Sequence, residues 1–257
     1  MNQKQINTIF VLLMFGLLNV SSLSAEEDVE LFVNNDSIAS QNVRGLIKPV
    51  EKAVISSQLS AKIDKIPFKA GDQFKKGETL VDFDCGLYRA DLTSKEAAFK
   101  AKKNVYENKK ELLALNAMSD IDVEIAKSEM EVARAERSIS AIKVKQCVIK
   151  APYDGRVIEV SVNEHENVNT DTELLAILND KLIEIELIIP STWLTWLNKG
   201  EAFQFMIDET GETVEAEVNK IGAVVDPVSQ TIKLNGKFKK QPERVLSGMS
   251  GTAQFNQ

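Results

Sequence analysis

The stretch SAKIDKIPFKAGDQFKKGETLVDFD begins at Ser60, and DGRVIEVSVNEHENVNTDTELLAIL begins at Asp154. Laid over one another without a gap, Ala61 meets Gly155, Ile63 meets Val157, Ile66 meets Val160 and Phe68 meets Val162. Further along, Phe74 meets Val168, Leu80 meets Leu174 and Val81 meets Leu175. Apolar positions and turns coincide at an offset of 94 residues. Two copies are too few for a solenoid but suit a pseudo-twofold sandwich. Neither half carries enough apolar area to stand alone, whereas together they bury a core. Residues 60–84 and 154–178 are therefore expected to form twin leaves of one β unit, within domain halves 51–84 and 147–179. The alignment sets the single histidine, His165, opposite Gly71, in a turn where glycine accepts a left-handed backbone. With no second histidine and only two distant cysteines, a metal-ligand count fails, so His165 reads as a turn residue.

Between the halves, Leu87 to Val144 contains neither Pro nor Gly and is dominated by Ala, Lys and Glu. Ile121, Ile125, Ser128, Val132, Ala135, Ile139 and Ile142 repeat at three-four spacing and read as the a and d positions of a coiled-coil seam. Leu92, Phe99, Tyr106 and Leu113 recur every seven residues, with Ala98, Val105 and Leu112 beside them. The stretch LALNAMSDID divides the block. Asn116 suits a helix end, and Ser119 followed by Asp120 and Asp122 suits a helix start, because side-chain oxygens accept the free N–H groups of the first turn. Two antiparallel helices over 85–146 are expected, inserted into the sandwich. CVIKAPYDGRVIEV, from Cys147, restarts the sheet, with Pro152 and Gly155 bracketing the turn that launches the strand.

From Lys181 the pattern changes to short alternating runs (KLIEIELIIP, AFQFMI, GMSGTAQF) punctuated by Gly and Pro, which suggests a small antiparallel barrel over 180–257. VRGLIKPV, inside the segment 26–50, is expected to add a barrel strand. Residues 1–25 have the layout of a secretory signal: Lys4 near the start, an apolar run from Ile9 to Leu18, then small residues, with cleavage expected after Ser24 or Ala25. The run is shorter than the roughly 20 residues a spanning helix needs; an uncleaved anchor is the alternative. The fold class read from these patterns is α+β, mostly β.

The formal charge of −7 is spread along 257 residues without a basic patch, which disfavours nucleic acid and anionic lipid as partners. The sequence shows no phosphate-cradling glycine loop, no metal cluster and no nucleophile with a histidine and carboxylate partner, so an enzyme is not expected, nor a cofactor.

GDQFKKGETLVDFD, then a helical block, then IKAPYDGRV resembles the periplasmic adaptor family, also called membrane fusion proteins of the HlyD-like and RND efflux type. The resemblance covers nearly all of the chain after the signal. It implies a lipoyl-like β-sandwich split by an antiparallel coiled-coil hairpin, a C-terminal β-barrel, and a role linking an inner-membrane transporter to a TolC-like outer-membrane duct. It also implies a homo-oligomer, a hexameric ring, at the periplasmic side of the inner membrane. Gly200, Asp226, Pro227, Gly248 and Met249 sit where the family's barrel motifs place similar residues, closest to the RND rather than the ABC branch. Gln230 departs from the Arg common there. Many RND adaptors continue into a fourth, membrane-proximal domain, for which this sequence offers no stretch; that leaves the docking mode open. Family members that meet a TolC-like duct often carry an Arg, a Leu four later and a Ser seven after that. Here Leu112 and Ser119 keep the spacing, and the Arg position is Asn108, followed by Lys109 and Lys110. Asn108, Leu112 and Ser119 are thus the candidate duct-binding residues; Leu112 as seam and Ser119 as helix cap is the plainer reading.

Cys85 lies where the first half ends and Cys147 where the second begins, at the base of the expected hairpin. Converging there, they are expected to form a disulfide in an oxidising compartment; two buried thiols are the alternative. Two other functions stay open: a lipoyl or biotinyl carrier, disfavoured because the turn that would display a modified Lys is replaced by the hairpin, and an exported coiled-coil scaffold.

Overall fold

The computed structural model describes residues 41–242 and 244–256. The expected signal segment, 1–25, lies outside the described residues. The elements are β1 (Gln41–Pro49), β2 (Lys52–Ser56), β3 (Ala61–Lys65), β4 (Gln73–Phe74), β5 (Thr79–Asp84), α1 (Gly86–Ala114) and α2 (Asp120–Lys145). After them come β6 (Val148–Lys150), β7 (Gly155–Val160), β8 (Asn167–Val168), β9 (Glu173–Leu178) and β10 (Ile183–Pro190). A 3-10 turn (Ser191–Thr195) leads to β11 (Ala202–Ile207), β12 (Thr213–Asp226), β13 (Thr231–Phe238) and β14 (Ser250–Phe255).

The repeat is visible strand by strand. β3, β4 and β5 begin at 61, 73 and 79, and their counterparts β7, β8 and β9 begin 94 residues later, at 155, 167 and 173. The hydrogen bonds are exchanged in the same way. Gly71 N–H donates to the Val157 carbonyl, and His165 N–H donates to the Ile63 carbonyl, both at 2.9 Å. Gly77 N–H donates to Ala151, and Asp171 N–H donates to Ser57, both at 2.8 Å. The equivalent turn residues share a left-handed backbone: Gly71 and His165 at φ 90° and 69°, Gly77 and Asp171 at 86° and 68°.

One expectation is corrected. The halves are not two leaves, one apiece. The two four-stranded sheets run β2-β9-β7-β4 and β6-β5-β3-β8, so each draws two strands from each half. The reason lies in those turns: their N–H groups find acceptors on the opposite half, which carries β4 across to β7 and β8 across to β3. Between the sheets Ile63, Leu80, Val81, Phe83, Leu174 and Ile177 are almost wholly buried. Gly155 has no room for a side chain; a Cβ there would lie 2.1 Å from the Leu178 carbonyl oxygen.

The second β unit is a closed barrel in the order β1-β10-β13-β12-β11-β14. Alternate residues of β10 (Ile185, Leu187, Ile189), β11 (Phe203, Phe205, Ile207) and β13 point inward and are buried. Gly45 and Gly251 face one another across β1 and β14, and a Cβ on either would collide with Phe205, so the glycines make room for that ring.

α1 and α2 are 29 and 26 residues long, about 43 and 39 Å. Three contacts fix them antiparallel in one register: Asp91 with Ser140, Lys95 with Glu136 and Lys102 with Glu129, at 2.6, 2.9 and 2.8 Å. The stripe expected as the α2 seam does not face α1. Ile121, Ile125, Val132, Ile139 and Ile142 are 71, 51, 60, 56 and 54% exposed, and the residues buried instead are Val123, Ala126, Met130, Ala133 and Ser140. Bulk decides this. α1 carries the half-buried Leu92, Phe99 and Tyr106 along its seam, and small residues opposite such rings let the helices approach. The guanidinium of Arg137 lies 4.9 Å from the Phe99 ring centroid and closes the edge of the seam.

Candidate functional site

The base of the helical pair is tied to the sandwich. Cys85 and Cys147 are joined in a disulfide with Cα atoms 6.0 Å apart, both buried in the sandwich core. One turn into α1, the Tyr88 hydroxyl donates to the Ser60 carbonyl at 3.1 Å, and its ring packs on the same core. The two helices therefore leave the sandwich from a covalently closed and packed root.

The far end is built by local chemistry. α1 closes through Asn116, whose backbone is left-handed at φ 54°. Asn116 N–H donates to Leu113 and Ala117 N–H donates to Leu112, both at 2.9 Å, the paired bonds that cap a helix C-terminus. α2 opens at Ser119, whose Oγ accepts the Ile121 N–H at 3.3 Å, with Asp120 and Asp122 in the first turn favourable to the helix dipole. Continuing the register of the cross-helix contacts puts Leu112 level with Ser119, and Asn108 one turn nearer the root. Asn108 and Ser119 are exposed and Leu112 is half-buried. Leu115, 74% exposed in the connecting turn, is an apolar tip residue that falls outside every seven-residue series, so the sequence pattern does not single it out.

Along the shaft, the exposed stripe of α2 borders a shallow groove of about 780 Å³ that also touches Ala98 and Lys102 of α1. Charged pairs line its rim. The hydrogen bond and charge of Glu136 hold the Lys95 ammonium above its ordinary pKa, and Lys102 holds the Glu129 carboxyl below its own. On the barrel, the end of β12 exposes Val224 and the β12–β13 connection exposes Val228, at 78 and 92%. Asp226 braces this turn by accepting the Ser229 and Val228 N–H groups at 2.9 Å, and those bonds depress its pKa. Gln230 follows with a left-handed backbone at φ 53°.

His165 sits in its turn with its N–H used by Ile63. Among the described residues, no group of three or more His, Cys, Asp or Glu could hold a metal ion, and no helix is long and apolar enough to cross a membrane. The surfaces that stand out are the apolar stripe and the tip of the anchored shaft, and the protruding turn of the barrel.

No protein-family model matches the chain. Over 230 residues it is 24% identical to nodulation protein NolF of Rhizobium meliloti, spanning 82% of this chain and 61% of NolF. Over 219 residues it is 24% identical to a probable efflux pump periplasmic linker protein, SepA, of Pseudomonas putida, spanning 79% of this chain and 57% of SepA. The chain is thus similar to proteins named as periplasmic linkers of efflux pumps. Its fold is shared with a MacA–MexA chimera containing the Pseudomonas aeruginosa MexA α-hairpin domain, at a TM-score of 0.74 and 23% identity, over 84% of this chain and 80% of the chimera. The chain spans about 57–61% of the length of these two curated relatives.

Proposed function

We propose that the protein is a periplasmic adaptor of a tripartite efflux or secretion system, bridging an inner-membrane transporter and an outer-membrane duct without catalysing a reaction. The observation that carries the reading is the disulfide-closed root at Cys85 and Cys147, where the helical pair interrupts a twofold β-sandwich. A lipoyl-type carrier would offer a lysine at the turn joining its halves; here that turn is a shaft of about 40 Å. The periplasmic linker named among the relatives supports the same role.

In this reading 1–25 is a cleaved signal peptide, 51–84 and 147–179 form the lipoyl-like domain, and 85–146 is a coiled-coil hairpin. The barrel comprises 180–257 with the strand from 26–50. The protein works in the periplasm against the inner membrane, as a homo-oligomeric ring of six around an RND transporter. Leu112 inserts at the tip of a TolC-like duct, Ser119 hydrogen-bonds there, and Asn108 with Lys109 and Lys110 replaces the basic contact of other adaptors.

The experiment is photo-crosslinking in intact cells with a photo-reactive residue at Leu112 and, separately, at Val228. Capture of an outer-membrane channel from Leu112 and of an inner-membrane transporter from Val228 is expected. Capture of neither membrane protein would overturn the proposal.

A further inference from the structure

The chain crosses between barrel and sandwich twice, from β1 to β2 and from β9 to β10. The two crossings are hydrogen-bonded to each other. Pro49 pairs with Ile183 at the barrel side, and Lys52 pairs with Leu178 at the sandwich side. Between them Val50 N–H donates to the Leu182 carbonyl at 2.8 Å, and Asn179 N–H donates to the Glu51 carbonyl at 2.9 Å. One antiparallel ribbon thus runs through both β units, with Asp180 and Lys181 looped out as extra residues on one strand.

A two-stranded ribbon alone makes a weak joint. Here the side chain of Asn179, only 6% exposed, braces it. Its Oδ1 accepts the Lys181 and Leu182 N–H groups at 3.0 and 3.1 Å, and its Nδ2 donates to the Glu51 carboxylate at 2.8 Å. Two N–H donors on one side and a carboxylate on the other leave this amide a single orientation. The looped-out pair is held as well. The Asp180 carboxylate accepts from Gln73 at 3.1 Å and from Arg156 at 3.4 Å, and Arg156 also donates to the Gly71 carbonyl at 3.1 Å. These partners all belong to the sandwich, so β10 leaves for the barrel from a bulge clamped to it.

Stiffness at this point matters because the shaft is a lever. A tilt of about 10° would swing the end of a shaft of about 40 Å by about 7 Å, more than one helical turn. We propose that Asn179, acting through Glu51, is a positioning residue that fixes the barrel in one orientation against the sandwich, so that barrel, sandwich and shaft move as one body. The joint holds whatever the chain assembles with; its use in aiming the tip rests on the adaptor role proposed above.

The test is double electron–electron resonance on the purified full chain, with nitroxides at Glu159→Cys in the sandwich and Lys237→Cys in the barrel. Both positions are exposed, and the two native cysteines are paired with each other. One narrow distance distribution is expected for the parent. Asn179→Asp sets a carboxylate against Glu51 and is expected to widen it. Adding Glu51→Gln supplies a donor again and is expected to narrow it, a rescue that general loss of packing would not show. A wide distribution in the parent, a narrow one in Asn179→Asp, or no narrowing in the double variant overturns the inference. Glu51→Ala, at a half-buried position, removes the same clasp from its other side where Asn179→Asp does not fold; an unchanged width there also overturns it. In intact cells, Asn179→Asp is expected to lower channel capture at Leu112 several-fold and Glu51→Gln to restore it, and unchanged capture would overturn the aiming role. A parent with a narrow distribution that captures neither membrane protein would uphold the joint and remove the adaptor role.

Discussion

In the sandwich, Ile63, Leu80, Val81 and Leu174 retain no accessible surface, and partners from both halves of the repeat close over them. In the helical pair no side chain of α1 is fully buried, and α2 buries Val123, Ala126, Met130, Ala133 and Ser140 while leaving its isoleucines in water. The same chain follows opposite rules in the two regions. The sandwich turns its largest apolar groups inward and is complete by itself. In the shaft, α2 turns alanines, Met130 and Val123 toward the rings of α1 and leaves its isoleucines exposed. A covalent tie at the root, Cys85–Cys147, adds to that packing.

That contrast can be broken at four points. Phe83→Ala in the sandwich is expected to cost about 3–5 kcal/mol, because the cavity cannot refill between two sheets; thermal unfolding followed by near-UV circular dichroism measures it. Replacing both Cys85 and Cys147 by Ser opens a loop with a sequence separation of 62. The expected loss is about 4 kcal/mol in the chain-entropy model, read as the drop in denaturant midpoint against the unreduced protein. In the shaft, Met130→Ala is expected to cost about 2 kcal/mol, at the low end for a buried apolar residue. Ile125→Ser, five residues away on the exposed stripe, is expected to stay within about 0.5 kcal/mol of the parent. If denaturant melts gave the larger loss to Ile125→Ser, the assignment of seam and exposed stripe would be reversed.

The smallest effect is that of pH on the cross-helix pairs. The Glu129 carboxyl titrates below its ordinary value because of Lys102, so its contribution is complete above the unfolded carboxylate pKa, about 4.3, and fades as pH falls through the lower folded value. Lys95 titrates above its ordinary value because of Glu136, so its contribution is complete below the unfolded lysine pKa, about 10.4, and fades as pH rises through the higher folded value. Hydrogen exchange of α2 amides should therefore quicken slightly in Glu129→Gln at pH 7, with the difference from the parent vanishing in strong acid.

The sequence carried the β architecture well because the repeat restates itself: Ile63 and Val157, or Leu80 and Leu174, are apolar in both copies and buried in both. Gly71 and His165 show the limit. Alignment paired them as turn residues, but nothing in their identity says that their N–H groups cross to the other half, so the mixing of strands between sheets was not legible. Barrel alternation in β10 and β11 was plain from period two. The helix seam was misread for a physical reason. α2 holds two stripes at three-four spacing, and hydrophobicity favours the isoleucines, whereas packing against Phe99 and Tyr106 favours Ala126 and Ala133. A signal was available in the matched positions Asp91, Lys95 and Lys102 against Ser140, Glu136 and Glu129, which define one register and put the alanines inside. At the tip, Asn116 and Ser119 were readable because helix ends are local chemistry, whereas the exposed Leu115 carried no pattern.

In the proposed role the anchored shaft spans between two membrane proteins. Electron cryo-microscopy of the complex purified from membranes through a tag on this chain tests it most directly. A ring of copies with barrels against an inner-membrane transporter and shaft tips against an outer-membrane channel is the expected image. The protein recovered without either membrane partner, or with its shaft folded back along the transporter, would contradict it.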